Sequence, residues 1–386
     1  MKKRIKLGVI ADEFFDREMG RMGGFGWAAR QLSRIFNGDP SLGIDVVFLS
    51  GELRSSATRK EVRVHGTRVI LRQPGRLANW LAARRERFDL LLTIDYNLGY
   101  SVYLRSLPRT PAIIWVRDPR SPEDARRIET VRIPNQPGEL PQGLFSFDSR
   151  SMARIHSEAH WLGRPLLFAT PALHLTSRLE GAYGLEPEHM SFLPNPIRID
   201  PRAVVKTERP TVVFLARLDP YKRPWIFAAL ARHFPDIEFR FLGQSHFSGP
   251  GAWKTDDLPA NVRVCGHVDE DEKTRLLSEA WVAVNTSVHE GMPVSFLEAL
   301  ACETPFLSSI NPGYAIAQFG IITGRTDGDG MQGLEALRHG LARLLGDGAL
   351  RRGMGQQGRE WVRTVHNREH FLECFRRLCA QAGVTR

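Results

Sequence analysis

The sequence is poor in cysteine and has no long apolar run. Its 4 cysteines are spread over 386 residues. None forms a Cys-x-x-Cys pair, so we expect neither a disulfide framework nor a metal site. No apolar stretch approaches the roughly 18 residues that a membrane-spanning helix needs. The apolar run after the basic start ends at Asp12, which favours a first strand over a signal peptide. These features favour a globular, cytoplasmic protein.

Lysine is also scarce, because only 8 of the 53 basic residues are lysine. Residues 1–198 carry 30 Lys and Arg against 21 Asp and Glu, a net charge of +9 of the total +10. This excess predicts an anionic binding partner or an acidic membrane surface, or it reflects only a preference for arginine. Nucleic acid is not favoured, because the aromatic residues of this half are not interleaved with basic ones as a stacking platform requires.

A chain of 386 residues with 42% hydrophobic content predicts two α/β domains. Strand-like runs alternate with helical segments in both halves, which is typical of parallel sheets. Four prolines between Pro194 and Pro210 mark the boundary. We expect domains at 1–198 and 199–366, and a final helix in 367–386. The clearest strands are predicted at 5–11, 46–49, 90–94, 113–116, 212–216, 239–242, 262–265, 282–285 and 305–308.

The segment from Trp281 to Ala301 places two carboxylates eight positions apart around a turn and a helix start. Ligands of open α/β sheets bind at strand carboxyl ends, where a helix N-terminus favours a phosphate. Glu290 would accept hydrogen bonds from sugar hydroxyls, and Glu298 from a ribose. Alternatively, Glu298 belongs to a capping box that begins at Ser295.

This Glu-x7-Glu element resembles the signature of the retaining family 4 glycosyltransferases of the GT-B fold. The stretch 212–223 resembles the strand and loop that open the donor domain of that family, which implies that Arg217 and Lys222 hold the donor diphosphate. The stretch 261–268 resembles the loop that contacts the nucleotide base, which implies roles for His267 and Val268. The segment 193–197 resembles the connection between the domains.

The resemblance implies a GT-B architecture, with two Rossmann-like domains facing a central cleft and a last helix, 368–382, that crosses back to the first domain. The activity implied is transfer of a sugar from a UDP- or GDP-linked donor to a saccharide or lipid-linked acceptor, with retention of configuration. No cofactor is implied. We recognise no Asp-x-Asp element of the kind that holds a metal ion beside the donor, so Arg217 and Lys222 would take its place. The catalytic candidates are Glu290, Arg217 and Lys222, and the turn that completes the donor site comprises Gly291, Met292, Pro293 and Val294.

Site residues are less clear in the first domain. By the resemblance, Gly23 and Gly24 lie over the donor phosphates, although Gly24 also begins a G-x-G-x-x-A dinucleotide fingerprint in an unsuitable context. Many relatives have a histidine near the donor sugar where this chain has Arg117 and Asp118, which become the acceptor-side candidates. The stretch 119–149 is expected to be a long loop, or a short helix and a loop, close to the acceptor.

One further departure from the family pattern is Glu303, which replaces a glycine and implies an altered helix end. Three other functions fit parts of the pattern. A sugar-nucleotide epimerase would share the fold and the phosphate contacts. A nucleic-acid glycosyltransferase would use the basic half, and a non-catalytic sugar-nucleotide-binding partner protein would need only the donor site.

Overall fold

The computed structural model describes residues 4–13, 23–53, 61–136, 149–185, 190–245, 251–311 and 313–384. Contacts divide the chain into two compact units. The first consists of Met1–Ser121, Phe147–Pro196 and Arg368–Arg386, and the second of Pro122–Ser146 and Ile197–Asn367. Each unit has its own sheet and its own apolar core.

The first unit contains an 8-stranded sheet in the order β3-β4-β2-β1-β5-β6-β7-β8. All neighbouring strands are parallel except β3 and β4, which pair antiparallel at the edge. The strands are β1 Ile5–Ala11, β2 Ile44–Leu53, β3 Glu61–Val64, β4 Thr67–Arg72, β5 Leu90–Ile94, β6 Ala112–Trp115, β7 Leu166–Thr170 and β8 Met190–Phe192. The helices of this unit are α1 Gly24–Gly38, α2 Arg76–Glu86, α3 Ser101–Ser106, α5 Ser149–Trp161, α6 Thr176–Tyr183 and α13 Arg368–Gln381.

The second unit contains a 6-stranded parallel sheet in the order β11-β10-β9-β12-β13-β14. The strands are β9 Thr211–Leu215, β10 Glu238–Leu242, β11 Val262–Val264, β12 Val282–Asn285, β13 Phe306–Ser308 and β14 Gly320–Ile322. The helices are α4 Pro122–Glu129, α7 Pro224–Ala231, α8 Glu270–Glu279, α9 Val294–Ala301, α10 Tyr314–Ala317, α11 Leu334–Gly346 and α12 Gly348–Val365. No helix in the described parts of the chain is long and apolar enough to cross a bilayer.

The central strands of both sheets pair in parallel and are buried on both faces. Every residue of β5 and β12 is buried, as expected for strands covered by helices on each side. The core of the second unit is strongly aromatic. The ring of Phe241 lies 5.3 Å from that of Phe214 and 4.8 Å from that of Phe227, both in edge-on contact. The prediction of two parallel-sheet α/β units is confirmed.

The last helix belongs to the first unit, as the resemblance implied. Phe371 and Phe375 of α13 pack 6.4 and 5.3 Å from the ring of Phe36 on α1. Trp115 at the end of β6 lies 5.9 Å from Phe371. Arg368 Nη2 forms an ion pair of 2.7 Å with Asp39. Apolar burial therefore fixes α13 on the first sheet, although the chain reaches it from the second unit.

The segment 122–136 differs from the predicted domain division, which had placed it in the first domain. The expected short helix is present as α4, but Ile128, Val131 and Ile133 are buried in the apolar core of the second unit. Three apolar side chains in an otherwise polar stretch are enough to dock it there. Nothing in the local pattern indicates which core these three side chains join. The remainder of the predicted loop, 137–148, lies outside the described residues.

Helix α9 ends in close contact with α12. Glu303, just after the end of α9, adopts the left-handed conformation with φ +52°. This conformation favours glycine, so the helix ends with the same backbone turn but with a side chain at that position. A Cβ atom added at Gly355 of α12 would lie 2.3 Å from the carbonyl oxygen of Glu303. The backbones of the two segments approach so closely only because residue 355 has no side chain.

This contact yields a stability prediction. Gly355→Ala should destabilise the protein by about 1–3 kcal/mol, because backbone cannot move aside as a flexible side chain would. Gly353 lies in the same helix with nothing within 4 Å of an added Cβ, so Gly353→Ala should stabilise by about 0.5–1 kcal/mol through helix propensity. Urea unfolding of both variants measures the difference. If both substitutions change the free energy of unfolding equally, a side chain at residue 355 does not disturb the contact between α12 and residue 303.

Candidate functional site

The predicted donor residues lie at the carboxyl ends of β9 and β12, which are neighbouring strands. The chain leaves β9 toward β10 on one side of the sheet, while β12 continues to β13 on the other. This is a topological switch point, where the two connections diverge and leave a crevice for ligands. The first loop carries residues 216–223, and the second carries 286–293.

Hydrogen bonds tie these two loops together. Thr286 Oγ1 donates to the carbonyl oxygens of Lys222 and Arg223, at 2.7 and 2.9 Å. The amide of Val288 donates to the carbonyl oxygen of Tyr221 at 2.9 Å. Arg223 takes a left-handed φ of +51° as the chain turns into α7. The loops therefore form one assembly, and the side chains they carry have fixed relative positions.

Lys222 and Glu290 are brought into direct contact by this assembly. Lys222 Nζ donates to Glu290 Oε1, which also accepts from Ser287 Oγ at 2.7 Å and from Asn285 Nδ2 at 3.3 Å. The side chains are 14% and 13% exposed. Burial acts to lower the pKa of Lys222, but the charge of Glu290 outweighs it and the pKa is raised. Lys222 therefore remains a cation in a largely dry environment.

Arg217 lies beside the same cluster. Its Nε is 3.1 Å from Asp219 Oδ2, and its Nη2 donates to the hydroxyl of Tyr221. The ring of Tyr221 also lies 4.8 Å from Lys222 Nζ and 5.6 Å from the guanidinium carbon of Arg217. One aromatic ring thus contacts both cations, and Arg217 retains a 26% exposed side chain. Tyr221 was not predicted as a site residue, although it directly precedes Lys222 in the sequence.

Glu298 is held by a residue that the sequence analysis did not select. Lys273 Nζ of α8 donates to Glu298 Oε1 at 2.5 Å. Helix α9 begins at Val294, its N-cap is Pro293, and no side chain caps it. The capping-box alternative is therefore wrong, because Ser295 already lies within the helix and Glu298 reaches sideways to α8.

The turn before α9 brings backbone to the same place. Gly291, Met292, Pro293 and Val294 are all buried. The helix starts at Val294, so its first free amides and its positive dipole end lie directly after the turn that carries Glu290. This arrangement suits a phosphate group, although a short helix end alone identifies no ligand.

His267 and Val268 lie in the loop between β11 and α8. Gly266 before them has φ +69° and forms a backbone bridge with Gly243, which follows β10. His267 is exposed and Val268 half-buried. The side chain of Asp269 then caps α8 by accepting from the amide of Glu272 at 2.9 Å. The loop is thus anchored at both ends, with the predicted base-contacting residues between the anchors.

A histidine that the sequence analysis overlooked stands next to Glu290. His289 is 3% exposed, and its Nδ1 lies 3.2 Å from Asp124 Oδ1 of α4. Arg325 Nη1 lies 3.9 Å from the same oxygen. Asp124 therefore lies beside the imidazole that precedes Glu290 in the chain. No short-range pattern could indicate this contact, because the partners are far apart in sequence.

Two Asp-x-Asp triplets do occur, at 269–271 and 327–329, although the sequence pattern did not single them out as metal ligands. The first aspartate of the first triplet and the last aspartate of the second each have a local structural role. Asp269 caps α8, and Asp329 Oδ1 accepts from the amide of Met331 at 2.9 Å. Across the described ranges, no group of three or more His, Cys, Asp or Glu side chains is arranged to hold a metal ion.

The remaining candidates belong to the first unit. Glu13 Oε2, at the end of β1, accepts from the amides of Gly23 and Gly26 at 2.7 and 3.0 Å, so a carboxylate of the protein already faces the N-terminus of α1. A Cβ atom added at Gly23 would lie 2.9 Å from this carboxylate oxygen, whereas one added at Gly24 would meet nothing within 4 Å. A side chain at residue 23 would therefore require the Glu13 carboxylate to shift.

Arg117 and Asp118 differ in their surroundings. Arg117 is 4% exposed and its guanidinium lies 4.4 Å from the ring centre of Trp115. Burial lowers its pKa to about 10. Asp118 pairs with Arg120 at 2.7 Å. The structure thus turns Arg117 toward the interior of the unit and leaves Asp118 in a local ion pair.

The same cluster contains Asp95, which the sequence analysis missed. It directly follows β5, adopts a left-handed φ of +60°, and is 7% exposed. Its Oδ1 accepts from the amide of Arg117 at 3.2 Å. Burial, and then repulsion from Asp118, raises its pKa to about 7. The sequence feature that could have indicated Asp95 is an acidic residue directly after an apolar strand. Buried carboxyls with a raised pKa are common at functional sites.

Asp95 makes the stability of the protein depend on pH. Because its folded-state pKa of about 7 lies above the ordinary value of 3.8, its contribution to stability is complete below about pH 4. It is lost as the pH rises through 7, and amounts to a few kcal/mol.

Asp95→Asn keeps an oxygen for the amide of Arg117 and removes the ionisation. We expect it to raise the melting temperature at pH 8 more than at pH 5. Melting curves at several pH values measure this, with Asp236→Asn on the surface of the second unit as the control. An identical shift at both pH values would contradict the assignment.

Part of the chain matches a known family model, and the whole chain resembles solved structures. Residues 197–361 match the family model described as Glycosyl transferases group 1. Sucrose-phosphate synthase from Thermosynechococcus elongatus matches with a TM-score of 0.75 and 17% identity, over 98% of this chain and 99% of that one. HepE from Anabaena, in complex with UDP and glucose, matches with a TM-score of 0.70 and 13% identity, over 98% and 100%.

The pneumococcal O-GlcNAc transferase GtfA, in complex with UDP and GlcNAc, gives a TM-score of 0.69 at 9% identity, over 99% of this chain and 100% of that one. These likenesses extend over nearly the whole of each chain, and they confirm the predicted GT-B fold. The segment that matches the group 1 glycosyltransferase model contains Arg217, Lys222, Glu290 and Glu298.

Proposed function

We propose that this protein is a glycosyltransferase that moves a sugar from a nucleoside-diphosphate sugar to a saccharide or lipid-linked acceptor. The observation that carries the proposal is the cluster of Lys222, Glu290 and Arg217 at the switch point of the second sheet. It joins two cations, a carboxylate and the N-terminus of α9 within a segment that matches the group 1 glycosyltransferase model.

The two cations suit the chemistry of the leaving group. Breaking the bond between the sugar C1 and the phosphate oxygen develops negative charge on the diphosphate, which preorganised cations stabilise most strongly in a dry site. Lys222 is fixed and largely buried, and Arg217 keeps an exposed face. We therefore assign both to the diphosphate, and the reaction needs no divalent ion.

Glu290 serves two partners in this proposal. Without donor it neutralises Lys222. The donor diphosphate competes for Lys222 and releases Glu290 Oε1 to accept hydrogen bonds from the sugar hydroxyls. Glu298, on the same helix, holds the ribose. Binding of the nucleotide and alignment of the sugar are thereby coupled through one ion pair.

The stereochemistry that we propose is retention, as in the family 4 enzymes that the Glu-x7-Glu element resembles. The acceptor oxygen attacks C1 from the face that the diphosphate leaves, and the departing phosphate oxygen takes the acceptor proton. No carboxylate of the protein then forms a covalent intermediate. Glu290 acts as a positioning group, which differs from the nucleophile of a retaining glycosidase.

A UDP-linked donor is the first choice, with GDP as the alternative. HepE and pneumococcal GtfA are both described in complex with UDP. The acceptor class is inferred from the basic first half of the chain, and surface polysaccharide or glycoconjugate synthesis would supply such acceptors. Four free cysteines agree with a cytoplasmic enzyme. Arg117 and Asp118 are proposed on the acceptor side, with Gly23 and Gly24 near the donor phosphates.

Nucleotide binding provides the first test. Among UDP, GDP, ADP and TDP, we expect UDP to raise the melting temperature in the presence of EDTA. Saturation at a hundredfold excess over the dissociation constant corresponds to about 2.7 kcal/mol. Arg217→Ala should remove most of this response, whereas the surface variant Arg338→Ala should retain it. If no diphosphate shifts the transition, or if the shift requires a metal ion, the proposed donor site is wrong.

Variants of Glu290 and Glu298 should distinguish contacts with the sugar of the donor from contacts with its nucleotide. Glu290→Gln should leave UDP affinity unchanged or higher, because Lys222 loses its competing carboxylate, while UDP-sugar affinity falls about tenfold or more. Glu298→Gln should weaken UDP and UDP-sugar equally, because it loses the ribose. Calorimetric titration of each isosteric variant with both ligands measures this. If Glu290→Gln lowers the affinities for UDP and for the UDP-sugar equally, Glu290 contacts the nucleotide and the proposed contact with the sugar is wrong.

Product analysis distinguishes the alternatives. A sugar-nucleotide epimerase would convert the donor to an altered sugar nucleotide without an acceptor. A non-catalytic binding protein would respond to UDP in the thermal experiment but would give no product with any acceptor. Transfer with the donor's anomeric configuration preserved is the result that supports the proposal.

A further inference from the structure

The first sheet has a topological switch point of its own. The chain leaves β1 toward β2 on one side, whereas β5 and then β6 lie on the other side of β1. Three charged residues follow these neighbouring strands, with Glu13 after β1, Asp95 after β5 and Arg117 after β6. Because ligands of open parallel sheets bind at the carboxyl ends of strands beside a switch point, this edge of the first sheet is a candidate binding site.

Arg117 has a buried guanidinium with unused hydrogen-bonding capacity. The residue is 4% exposed, and its Nε and Nη1 are buried without a hydrogen-bond partner in the described part of the chain. The ring of Trp115, 4.4 Å from the guanidinium carbon, attracts the cation but provides no acceptor oxygen. A buried cation with unsatisfied donors is costly, so an anion that reaches it gains a strong, charge-assisted contact.

The acidic residues around Arg117 are engaged elsewhere. Glu13 accepts from two backbone amides at the start of α1, and Asp118 pairs with Arg120 at 2.7 Å. Asp95 Oδ1 accepts from the backbone amide of Arg117 at 3.2 Å. Burial, and then Asp118, raises the pKa of Asp95 to about 7, so this carboxyl is uncharged in mildly acidic solution. None of the three carboxyls hydrogen-bonds the guanidinium in the described residues.

Solvent reaches the residues on either side of the guanidinium in the chain. The side chains of Asp118 and Arg120 are 17% and 21% exposed. Leu98, three residues after Asp95, is 58% exposed. The carboxyl edge of β5 and β6 thus combines a buried cation with an accessible rim.

We propose that Arg117 binds an anionic group, a carboxylate or a phosphate ester, on the saccharide that the protein uses as a substrate. This proposal rests on the proposed function and names the chemistry of its substrate. A guanidinium donates charge-assisted hydrogen bonds to both groups. A neutral hydroxyl would accept one hydrogen bond and leave the buried charge without a counterion, so charged sugars should be preferred to neutral ones.

Free saccharides test the preference for charge. We titrate the full chain at about pH 6, below the pKa of Asp95, with methyl glucuronide, glucose 6-phosphate and methyl glucoside, without nucleotide and then with UDP. If the anionic group belongs to the acceptor, at least one charged saccharide should bind about tenfold more tightly than methyl glucoside. Arg117→Gln should abolish this preference, and Arg117→Lys should keep part of it because the charge remains.

Nucleotide sugars test the other source of the anionic group. If it belongs to the donor, UDP-glucuronic acid should bind about tenfold more tightly than UDP-glucose, and Arg117→Gln should make the two affinities equal. If it belongs to the acceptor, the two donors bind alike and only the free saccharides show the preference. The matched control is Arg105→Gln, because Arg105 lies in the same unit with a 42% exposed side chain paired with Glu158. This variant should retain every preference of the unaltered protein.

The proposal is overturned if the unaltered protein binds charged and neutral sugars alike in both experiments. It is also overturned if Arg117→Gln keeps a preference for charge. The comparison of ligands on the unaltered protein requires no substitution, so it holds even if Arg117→Gln fails to fold. A retained melting response to UDP shows that this variant is folded.

Failure of this proposal differs from failure of the proposed function. The titrations without nucleotide do not involve Arg217, Lys222 or Glu290. Equal binding of charged and neutral sugars, together with a normal response to UDP, would remove the anionic substrate and leave the glycosyltransferase proposal intact. A preference for charged saccharides without any response to UDP would have the opposite meaning.

Discussion

The hydrogen bonds from Thr286 and Val288 to the backbone of residues 221–223 are the constraint on which the second unit's candidate site depends. Neighbouring strands bring two loops to one edge of the sheet, but strand pairing alone does not fix the loops. The buried hydroxyl and the amide fasten one loop to the other. Lys222 can then face Glu290, and Tyr221 can contact both cations, without the entropy cost of ordering these side chains when a ligand arrives.

Two lysine–glutamate pairs organise the segment around α9. Lys222 holds Glu290 before the helix, and Lys273 of α8 holds Glu298 within it. The chain has only 8 lysines among 53 basic residues, so the use of lysine in both pairs is notable. A compact ammonium group exchanges partners more readily than a planar, bidentate guanidinium. Removing one member of such a buried pair leaves an uncompensated charge, which favours replacement by another charged ligand over a vacant state.

Sequence patterns predicted the parts of the molecule that depend on local order. Each strand that the apolar runs predicted is present in the structure. The two units divide after Pro196, within the proline-rich stretch. The motif residues Arg217, Lys222 and Glu290 meet because β9 and β12 are neighbours in the parallel sheet, which brings their carboxyl ends together. Patterns did not reveal Lys273 as the partner of Glu298, Asp124 as the partner of His289, or the burial of Asp95. Those contacts join distant segments, and their formation is decided by tertiary packing.

The docking of α4 on the second unit has a consequence for how this protein could be rearranged. The chain enters the second unit at Pro122, leaves it, returns at Ile197 and leaves again before Arg368. The second unit is therefore not one contiguous cassette, although residues 197–361 match a family model by themselves. A graft of that stretch into another scaffold would leave behind Ile128, Val131 and Ile133 from its core, and Asp124 from beside His289. Recombination that preserves this unit must carry two separate pieces of the gene, which restricts the exchange of this unit between related chains.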